Sequence, residues 1–255
     1  MSQLQRRVKR GWMNLEIIKI IKETADTSTL ILVDQEDRGR SFDYQPGQYL
    51  TFRFDSLAKK PIVRSYTMSS SPCEGNFSAI TVKEVSDGFV SSYLTKDVNV
   101  GDILRARGPI GKFCYHHKKD HKHLAMIAAG SGVTPFVSIL REYAPHLGKD
   151  SYPEKMSLLV SFRSKKDLIC WHTLDSLQKN TNIQIYTTLS REHCEEEGFW
   201  YGRINTDHID KAFSNDYEGT TFMTCGPEEM MTLVANHMLG KGVLPEHMRT
   251  ESFAN

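Results

Sequence analysis

The feature that most constrains the fold is a change of sequence rhythm near residue 115. Before it, short runs rich in β-branched and aromatic residues alternate with glycine and proline turn signals. After residue 123, strand-like apolar runs alternate with helical segments. The first rhythm is typical of a small antiparallel barrel or sandwich, and the second predicts a parallel, doubly wound sheet. We therefore predict an antiparallel β domain over residues 14–115 and an α/β domain over residues 122–255, with the polar stretch 115–123 as a linker.

The same runs place the individual elements. In the first half, strands are predicted at 15–22, 28–33, 48–54, 64–70, 79–85 and 103–108, with one short helix at 90–95. In the second half, helices are predicted at 135–143, 168–178, 207–212 and 228–239. Parallel α/β sheets bind nucleotides beyond the carboxyl ends of their strands, so the second half is predicted to do so.

Composition and charge narrow the function classes. The chain has 32 Lys+Arg and 31 Asp+Glu, a formal net charge of +1, whereas nucleic-acid-binding proteins usually show a clearer basic excess. The longest uncharged stretch, 124–140, contains Gly130, Gly132 and Pro135, which predicts a buried strand and turn rather than a membrane span. The basic amino-terminal residues precede no apolar segment, so we predict a solvated tail rather than a secretory signal: Arg6, Arg7, Lys9 and Arg10.

Cysteine and histidine usage points to a reduced protein without a structural metal. The five cysteines are odd in number and well separated, so no disulfide framework is predicted and a cytoplasmic location is expected. Their spacing also predicts no iron–sulfur cluster in this chain. Interleaved lysines repel a cation from the linker histidines, so we predict no metal site at His116, His117, His121 and His123.

Two motifs contain the residue types that hold a nucleotide. Gly130-Ser131-Gly132-Val133-Thr134-Pro135 joins an apolar run to a helix, where glycines allow close approach to a phosphate and the helix start offers free N–H groups. Arg64-Ser65-Tyr66-Thr67 lies on a predicted strand and combines a guanidinium fork, a flat ring and a hydroxyl. An ordinary strand-to-helix turn and a plain strand with an exposed arginine remain the alternatives.

Two further motifs open helices. Gly88-Phe89-Val90-Ser91-Ser92 precedes the short helix of the first half and suits a phosphate, although a simple N-cap has the same residues. Cys225-Gly226-Pro227 ends the last predicted strand, where a thiol would lie at the ligand-binding edge. A buried cysteine that serves only as a small apolar residue is the alternative.

In this order the motifs resemble the ferredoxin–NAD(P)H reductase superfamily. RSYT resembles its R-x-Y-[ST] flavin motif, GFVSS its G-x-x-S flavin-pyrophosphate loop, and GSGVTP its G-x-G-x-x-P nicotinamide-nucleotide loop. CGP, GPIGKF at 108–113 and ESF at 251–253 resemble three further motifs. The resemblance spans residues 14–253. Within the superfamily, the chain is similar to oxygenase and hybrid-cluster-protein reductase components and to the reductase half of flavohaemoglobins. It implies a Greek-key FAD-binding barrel followed by an NAD(P)H-binding domain.

The resemblance also implies roles for the matching residues. Arg64 would hold a flavin phosphate, Tyr66 would lie against the isoalloxazine, and Thr67 would hydrogen-bond flavin N5. Further flavin contacts are implied for Ser65, Val82, Lys83, Gly88, Val90, Ser91 and Phe253. The nicotinamide nucleotide would contact Gly130, Gly132, Thr134, Pro135, Cys225, Gly226 and Pro227. Thr67, Cys225 and Glu251 are the implied catalytic residues, the last as a proton relay or electrostatic partner.

The choice between NADPH and NADH depends on the loops that follow the middle strands. Ser190, Arg191 and Tyr201 resemble the Ser-Arg…Tyr pattern of NADPH-using reductases, and Arg163 adds positive charge nearby. Asp167 could instead accept a free ribose diol. We predict NADPH, with NADH as the alternative.

The resemblance implies hydride transfer from NAD(P)H to FAD, with FMN as the alternative, followed by single-electron delivery to a protein acceptor. A ferredoxin, an oxygenase component or a hybrid-cluster protein would be such an acceptor, and no nucleic acid or membrane span is expected. A flavin, ferric or quinone reductase remains an alternative. A nucleotide-sensing or electron-transfer subunit without turnover is another.

Overall fold

The computed structural model describes residues 11–38, 42–213 and 217–253. The chain divides into two compact units, Met1–Cys114 and Tyr115–Asn255. The predicted solvated tail with Arg6, Arg7, Lys9 and Arg10 lies outside the described residues.

The first unit is built on an antiparallel sheet of six strands in the order β4-β3-β6-β1-β2-β5. An isolated bridge between Met68 and Ile80 joins the two outer strands, so the sheet closes on itself. This confirms the predicted antiparallel fold of the first half. The strands are β1 (Trp12–Thr24), β2 (Thr27–Asp34), β3 (Tyr49–Phe54), β4 (Ile62–Thr67), β5 (Ser78–Lys83) and β6 (Ile103–Ile110).

Alternation of side chains explains why these runs form strands around one core. In β3 and β6, every second residue is buried, and Leu50, Phe52 and Leu104 point inward. A short helix, α1 (Phe89–Lys96), follows β5 and packs Val90 and Leu94 against the same core. The core therefore fixes which face of each strand remains outside.

The second unit is a parallel sheet of six strands in the order β10-β9-β8-β7-β11-β12, as predicted for an α/β domain. The chain leaves β7 toward β8 on one side and returns to β11 on the other, so a topological switch point lies between β7 and β11. The strands are β7 (His123–Ala129), β8 (Lys155–Phe162), β9 (Gln184–Leu189), β10 (Phe199–Tyr201), β11 (Thr220–Cys225) and β12 (Met248–Glu251). The helices are α2 (Thr134–Tyr143), α3 (Trp171–Asn180), α4 (Thr206–Phe213) and α5 (Glu228–Gly240).

Two details of the second unit differ from the sequence expectation. The short edge strands β10 and β12 were not predicted. The helix α3 begins at Trp171 rather than at 168, because Leu168 is buried in extended backbone and Cys170 has a left-handed backbone (φ 55°). Within the polar stretch 115–123, Tyr115 is buried with its ring 5.4 Å from that of Tyr143, and buried Asp120 forms an ion pair with Arg249.

Over the part of the chain that the structure describes, no helix is both long enough and apolar enough to cross a membrane.

Candidate functional site

Strand β4 presents an exposed guanidinium, that of Arg64. Arg64 is exposed, and its Nη1 donates to the carbonyl oxygen of Val63 at 2.8 Å. Among residues 11–38, 42–213 and 217–253, no carboxylate forms an ion pair with it. Arg64 is therefore available to an anionic ligand such as a phosphate.

Tyr66 and Thr67 follow on the same strand with different surroundings. The Tyr66 ring is half-buried, 6.0 Å from the Phe52 ring, and burial raises the pKa of its phenol to about 12 against the opposing effect of Arg64. A neutral ring with one polar tip is suited to lie against a flat cofactor. Thr67 is buried, and its hydroxyl forms no hydrogen bond with any described residue, which leaves it available to a ligand.

Three other flavin-side candidates have side chains that the protein already uses. Ser65 points to the opposite face of β4, where its hydroxyl lies 3.0 Å from that of Thr51. Val82 belongs to the apolar core, and Lys83 forms an ion pair with Asp26 at 2.6 Å. Any contact of these residues with a flavin would use the backbone.

The start of α1 offers backbone donors. A Cβ at Gly88 would lie 2.3 Å from Cγ2 of Val85, so only glycine fits this turn. The first bond within the helix runs from the N–H of Ser92 to the carbonyl of Gly88, which leaves the N–H groups of residues 89–91 without helical acceptors. The Ser91 hydroxyl already has two partners within this turn, because it donates to Gly88 O at 2.9 Å and accepts from Val85 N at 3.2 Å. Together with Arg64 and Thr67, these N–H groups fit the phosphate and ring of a flavin.

At the switch point of the second unit, two glycine loops touch backbone to backbone. A Cβ at Gly132 would lie 2.2 Å from the carbonyl oxygen of Cys225, and one at Gly226 would lie 3.2 Å from the N of Ala129. The ends of β7 and β11 can approach this closely only because both positions are glycine. Gly130 has a left-handed backbone (φ 55°) with open space around it, as a close ligand approach requires.

The residues that flank these loops complete the turn. Thr134 is buried and donates its hydroxyl to Ser131 O at 3.0 Å, and Pro135 is the second residue of α2. Pro227 precedes α5 as its N-cap residue. Both helices thus begin directly beside the switch point, which is where a dinucleotide diphosphate binds in sheets of this topology.

The ends of β8 and β9 bring two arginines onto neighbouring loops. Ser190 N donates to Phe162 O at 2.8 Å, and Arg191 N donates to Arg163 O at 2.9 Å. Both guanidinium groups are exposed, and neither forms an ion pair within the described residues. Asp167, the candidate for a ribose diol, already accepts a hydrogen bond from Ser164 Oγ at 2.6 Å.

Tyr201 ends β10 with its side chain 53% exposed and its ring stacked on His193 at 3.5 Å and 15°. His193 was not predicted as a site residue. No sequence signal marks it, because its stacking on Tyr201 depends on the position of strand β10. The stack holds the Tyr201 ring in a fixed orientation beside the Arg191 loop.

Cys225 and Glu251 lie opposite each other on the parallel strands β11 and β12. Burial raises the pKa of Glu251 to about 7, and its buried Oε2 atom has no hydrogen-bond partner among the residues that the structure describes. Burial, and then the nearby Glu251 charge, raise the pKa of the Cys225 thiol. The pair therefore consists of a neutral thiol and a carboxyl group able to change protonation near neutral pH.

The raised pKa of Glu251 predicts a pH-dependent stability. The native state binds more protons than the unfolded state between the unfolded value near 4.5 and about 7, so stability falls as pH rises through this window. Glu251→Gln should remove this part of the pH dependence when thermal unfolding is measured between about pH 5 and 8. Identical pH profiles of variant and wild type would show that Glu251 is solvated in the native protein.

Phe253 follows β12 with its side chain 42% exposed, and it forms no ring contact with other described residues.

The histidines of the stretch 115–123 have separate contacts. The His121 ring lies 4.0 Å from that of His247, and His123 Nδ1 lies 2.8 Å from Thr220 Oγ1. In residues 11–38, 42–213 and 217–253, no group of three or more His, Cys, Asp or Glu side chains could hold a metal ion.

Comparison with known proteins identifies both units. The family model described as an oxidoreductase FAD-binding domain matches residues 14–115, and the one described as an oxidoreductase NAD-binding domain matches residues 126–236. The ferredoxin reductase component of 3-ketosteroid-9-alpha-monooxygenase from Rhodococcus rhodochrous is 29% identical over 94% of this chain and 64% of its own length. NADH oxidoreductase HCR from Escherichia coli K12 is 30% identical over 90% of this chain and 65% of its own length. The chain thus spans just under two thirds of these relatives.

The fold is also found in solved structures. The flavohem-like FAD/NAD-binding domain of nitric oxide dioxygenase from Vibrio cholerae superposes with a TM-score of 0.83, covering 97% of this chain and 100% of that domain at 24% identity. An antiparallel flavin-binding sheet followed by a parallel nucleotide-binding sheet defines the class of NAD(P)H-dependent flavoprotein reductases. The chain belongs to the ferredoxin reductase-type family of FAD- and NAD-binding oxidoreductases. The resemblance and the fold class predicted from the sequence are confirmed.

Proposed function

We propose that this chain oxidises NAD(P)H with a bound FAD and passes the electrons singly to a protein acceptor of the ferredoxin, iron–sulfur or haem type. The observation that carries the proposal is the meeting of the Gly132 and Cys225 loops at the switch point, with Glu251 beside them. Bound FAD would supply the chemistry that side chains lack, because it accepts a hydride from nicotinamide and releases electrons one at a time.

On the flavin side, the proposed roles follow from which groups remain available. Arg64 holds a flavin phosphate, the Tyr66 ring lies against the isoalloxazine, and the Thr67 hydroxyl bonds to N5. The backbone N–H groups of Val90 and Ser91 hold the pyrophosphate. Gly88, whose own N–H donates to Val85 O at 2.9 Å, contributes by leaving the turn without a Cβ. Ser65, Val82 and Lys83 contribute through the backbone alone, since their side chains have other partners.

On the nucleotide side, Gly130, Gly132, Thr134 and Pro135 shape the loop that holds the dinucleotide diphosphate. Cys225, Gly226 and Pro227 contact the nicotinamide end, and the neutral Cys225 thiol packs there without a charge. Glu251 holds or releases a proton at Oε2, because its pKa of about 7 permits either state.

NADPH is the proposed donor, because two arginines that form no ion pair with any described carboxylate lie on adjoining loops. Arg163 and Arg191 would flank the 2′-phosphate, with Ser190 donating a hydroxyl and Tyr201 supporting the adenine. Asp167, which accepts a hydrogen bond from Ser164 at Oδ2, is the residue that would bind the free ribose diol of NADH in the alternative.

The acceptor is proposed from the relatives. Curated proteins similar to this chain include reductase components of a ketosteroid monooxygenase and of glycine betaine monooxygenase. From these relatives we infer only the class of the electron acceptor, which is a protein partner that takes single electrons. We also propose a reducing, cytoplasmic location, because the five cysteines are odd in number and well separated in the sequence.

Steady-state oxidation of NADPH with a [2Fe–2S] ferredoxin, free FMN or ferricyanide as acceptor tests the proposal. We expect a higher kcat/KM with the ferredoxin than with free FMN, while ferricyanide serves as a non-physiological reference acceptor. A preference for free flavin would favour the small-acceptor reductase alternative. Binding of both nucleotides without turnover on any acceptor would favour a sensing subunit.

The exposed Phe253 gives a further prediction. If its ring covers the flavin face that nicotinamide must reach, Phe253→Ala should bind NADP+ more tightly and strengthen the charge-transfer absorbance of the flavin–nicotinamide pair. Stacking is worth about 0.5–1.5 kcal/mol, so the affinity should rise roughly two- to tenfold. Discrimination between NADPH and NADH should also relax, because the shared nicotinamide ring contributes more of the binding. Titration with NADP+ checks this, and wild-type affinity and spectrum in the variant would mean that the ring is merely solvated.

A further inference from the structure

Three arginines and a tryptophan share the outward face of the six-stranded sheet, and we call Arg53, Arg105, Arg107 and Trp12 the arginine face. The strand registers place them in two rows that cross β3, β6 and β1. Arg107 lies opposite both Thr51 and Trp12. Arg105 lies opposite both Arg53 and Asn14. Residues that lie directly opposite in antiparallel strands point to the same side, so these side chains form one surface.

Among the described residues, the three arginines of this face form ion pairs with a single carboxylate. Arg53 and Arg105 are like charges directly opposite each other, an arrangement that destabilises a sheet. Asp55 is their shared carboxylate, at 2.7 Å from Arg53 and 3.8 Å from Arg105. Arg107 has no ion-pair partner among the residues that the structure describes. A carboxylate from another molecule would offset the repulsion that remains.

Trp12 gives the face an apolar centre. Its side chain is 38% exposed, and the guanidinium carbon of Arg105 lies 5.3 Å from its ring centroid. Tryptophan and arginine are both among the residue types enriched at the energetic centres of protein interfaces. Arginine forks also match the two oxygens of a carboxylate.

On β4, Arg64 and Tyr66 lie on the other side of the strand from the arginine face. Val63 and Ser65 continue its two rows, whereas Arg64 and Tyr66 alternate with them and point to the other side of the strand. A molecule on the arginine face would therefore leave the Arg64 side of β4 uncovered.

We propose that the arginine face docks a protein partner with a carboxylate-rich surface. The proposal does not depend on the identity of the electron acceptor. Charge complementarity favours a separate chain over residues 1–10, because that segment is itself basic.

Binding of poly-L-glutamate, as a probe for a carboxylate-rich polypeptide, tests the proposal. Isothermal titration at low ionic strength should show binding that weakens steeply with salt. The variant Arg53→Gln/Arg105→Gln/Arg107→Gln should bind about tenfold more weakly. The matched control Lys118→Gln/Lys119→Gln/Lys179→Gln loses the same charge elsewhere and should bind like the wild type. The probe should also shift tryptophan emission in the wild type and not in Trp12→Phe.

Four outcomes would overturn the proposal. The first is absence of binding, and the second is equal loss of binding in the variant and the control. The third is binding to anionic vesicles or duplex DNA that exceeds binding to poly-L-glutamate, since it would assign the face to another class of partner. The fourth is a wild-type dimer that the arginine variant dissociates, which would make the face an interface between copies of this chain.

Discussion

Arg64→Ala is expected to lower FAD affinity by about 10- to 150-fold, the equivalent of roughly 1.5–3 kcal/mol for a charge-assisted contact. The reason is that the Arg64 guanidinium is exposed on β4 with a backbone carbonyl, and no described carboxylate, as its protein partner. A flavin phosphate would be its counter-charge. Fluorescence titration of the apoprotein with FAD measures the loss directly.

Arg53→Ala provides the matched control, because Arg53 lies on the neighbouring strand β3 but points to the opposite side of the sheet. It should leave FAD affinity nearly unchanged. Equal losses in both variants would reflect a general charge effect and would contradict a specific phosphate contact at Arg64.

Arg191→Ala is expected to raise KM for NADPH by about 10- to 100-fold and to change KM for NADH little. Both nucleotides share every group except the 2′-phosphate, so a residue that contacts this phosphate should distinguish them. Arg191 and Arg163 are joined through their backbones at 2.9 Å, and both guanidinium groups are exposed. Initial rates with both nucleotides, measured with ferricyanide as acceptor, give the comparison.

Arg203→Ala is the control for this position, since Arg203 follows the adjacent strand β10 with its side chain 81% exposed. It should change both KM values by less than about twofold. A wild type that prefers NADH strongly, or an Arg191 variant with equal effects on both nucleotides, would contradict the choice of NADPH.

Much of the fold could be predicted from the sequence, because strong local patterns determine it. The core strands β7 and β8 are almost wholly buried, and their apolar runs mark them clearly. The edge strands β10 and β12 have three and four residues and only partly buried side chains, so they carry no such pattern. The helix α3 was predicted to begin too early, because an apolar run does not distinguish buried extended backbone from a helix.

The candidate site was predictable only in part, because some of its contacts join segments that are distant in the sequence. Glycine loops and the RSYT motif are local signals, and the structure places both at strand ends or edges. The pairing of Cys225 with Glu251 depends on the register of β11 and β12. The contact of Gly132 with the Cys225 carbonyl depends on the sheet order, and the Tyr201–His193 stack depends on β10. Such relations between distant segments arise from tertiary packing rather than from any single stretch of sequence.

The most direct test of the central claim is anaerobic stopped-flow mixing of the FAD-reconstituted protein with NADPH deuterated at the transferred position of C4. The account predicts that flavin absorbance bleaches with one NADPH per flavin, and that deuteration slows this phase by a primary isotope effect. Retention of full flavin absorbance with both NADPH and NADH, in a protein that has bound FAD, would contradict it.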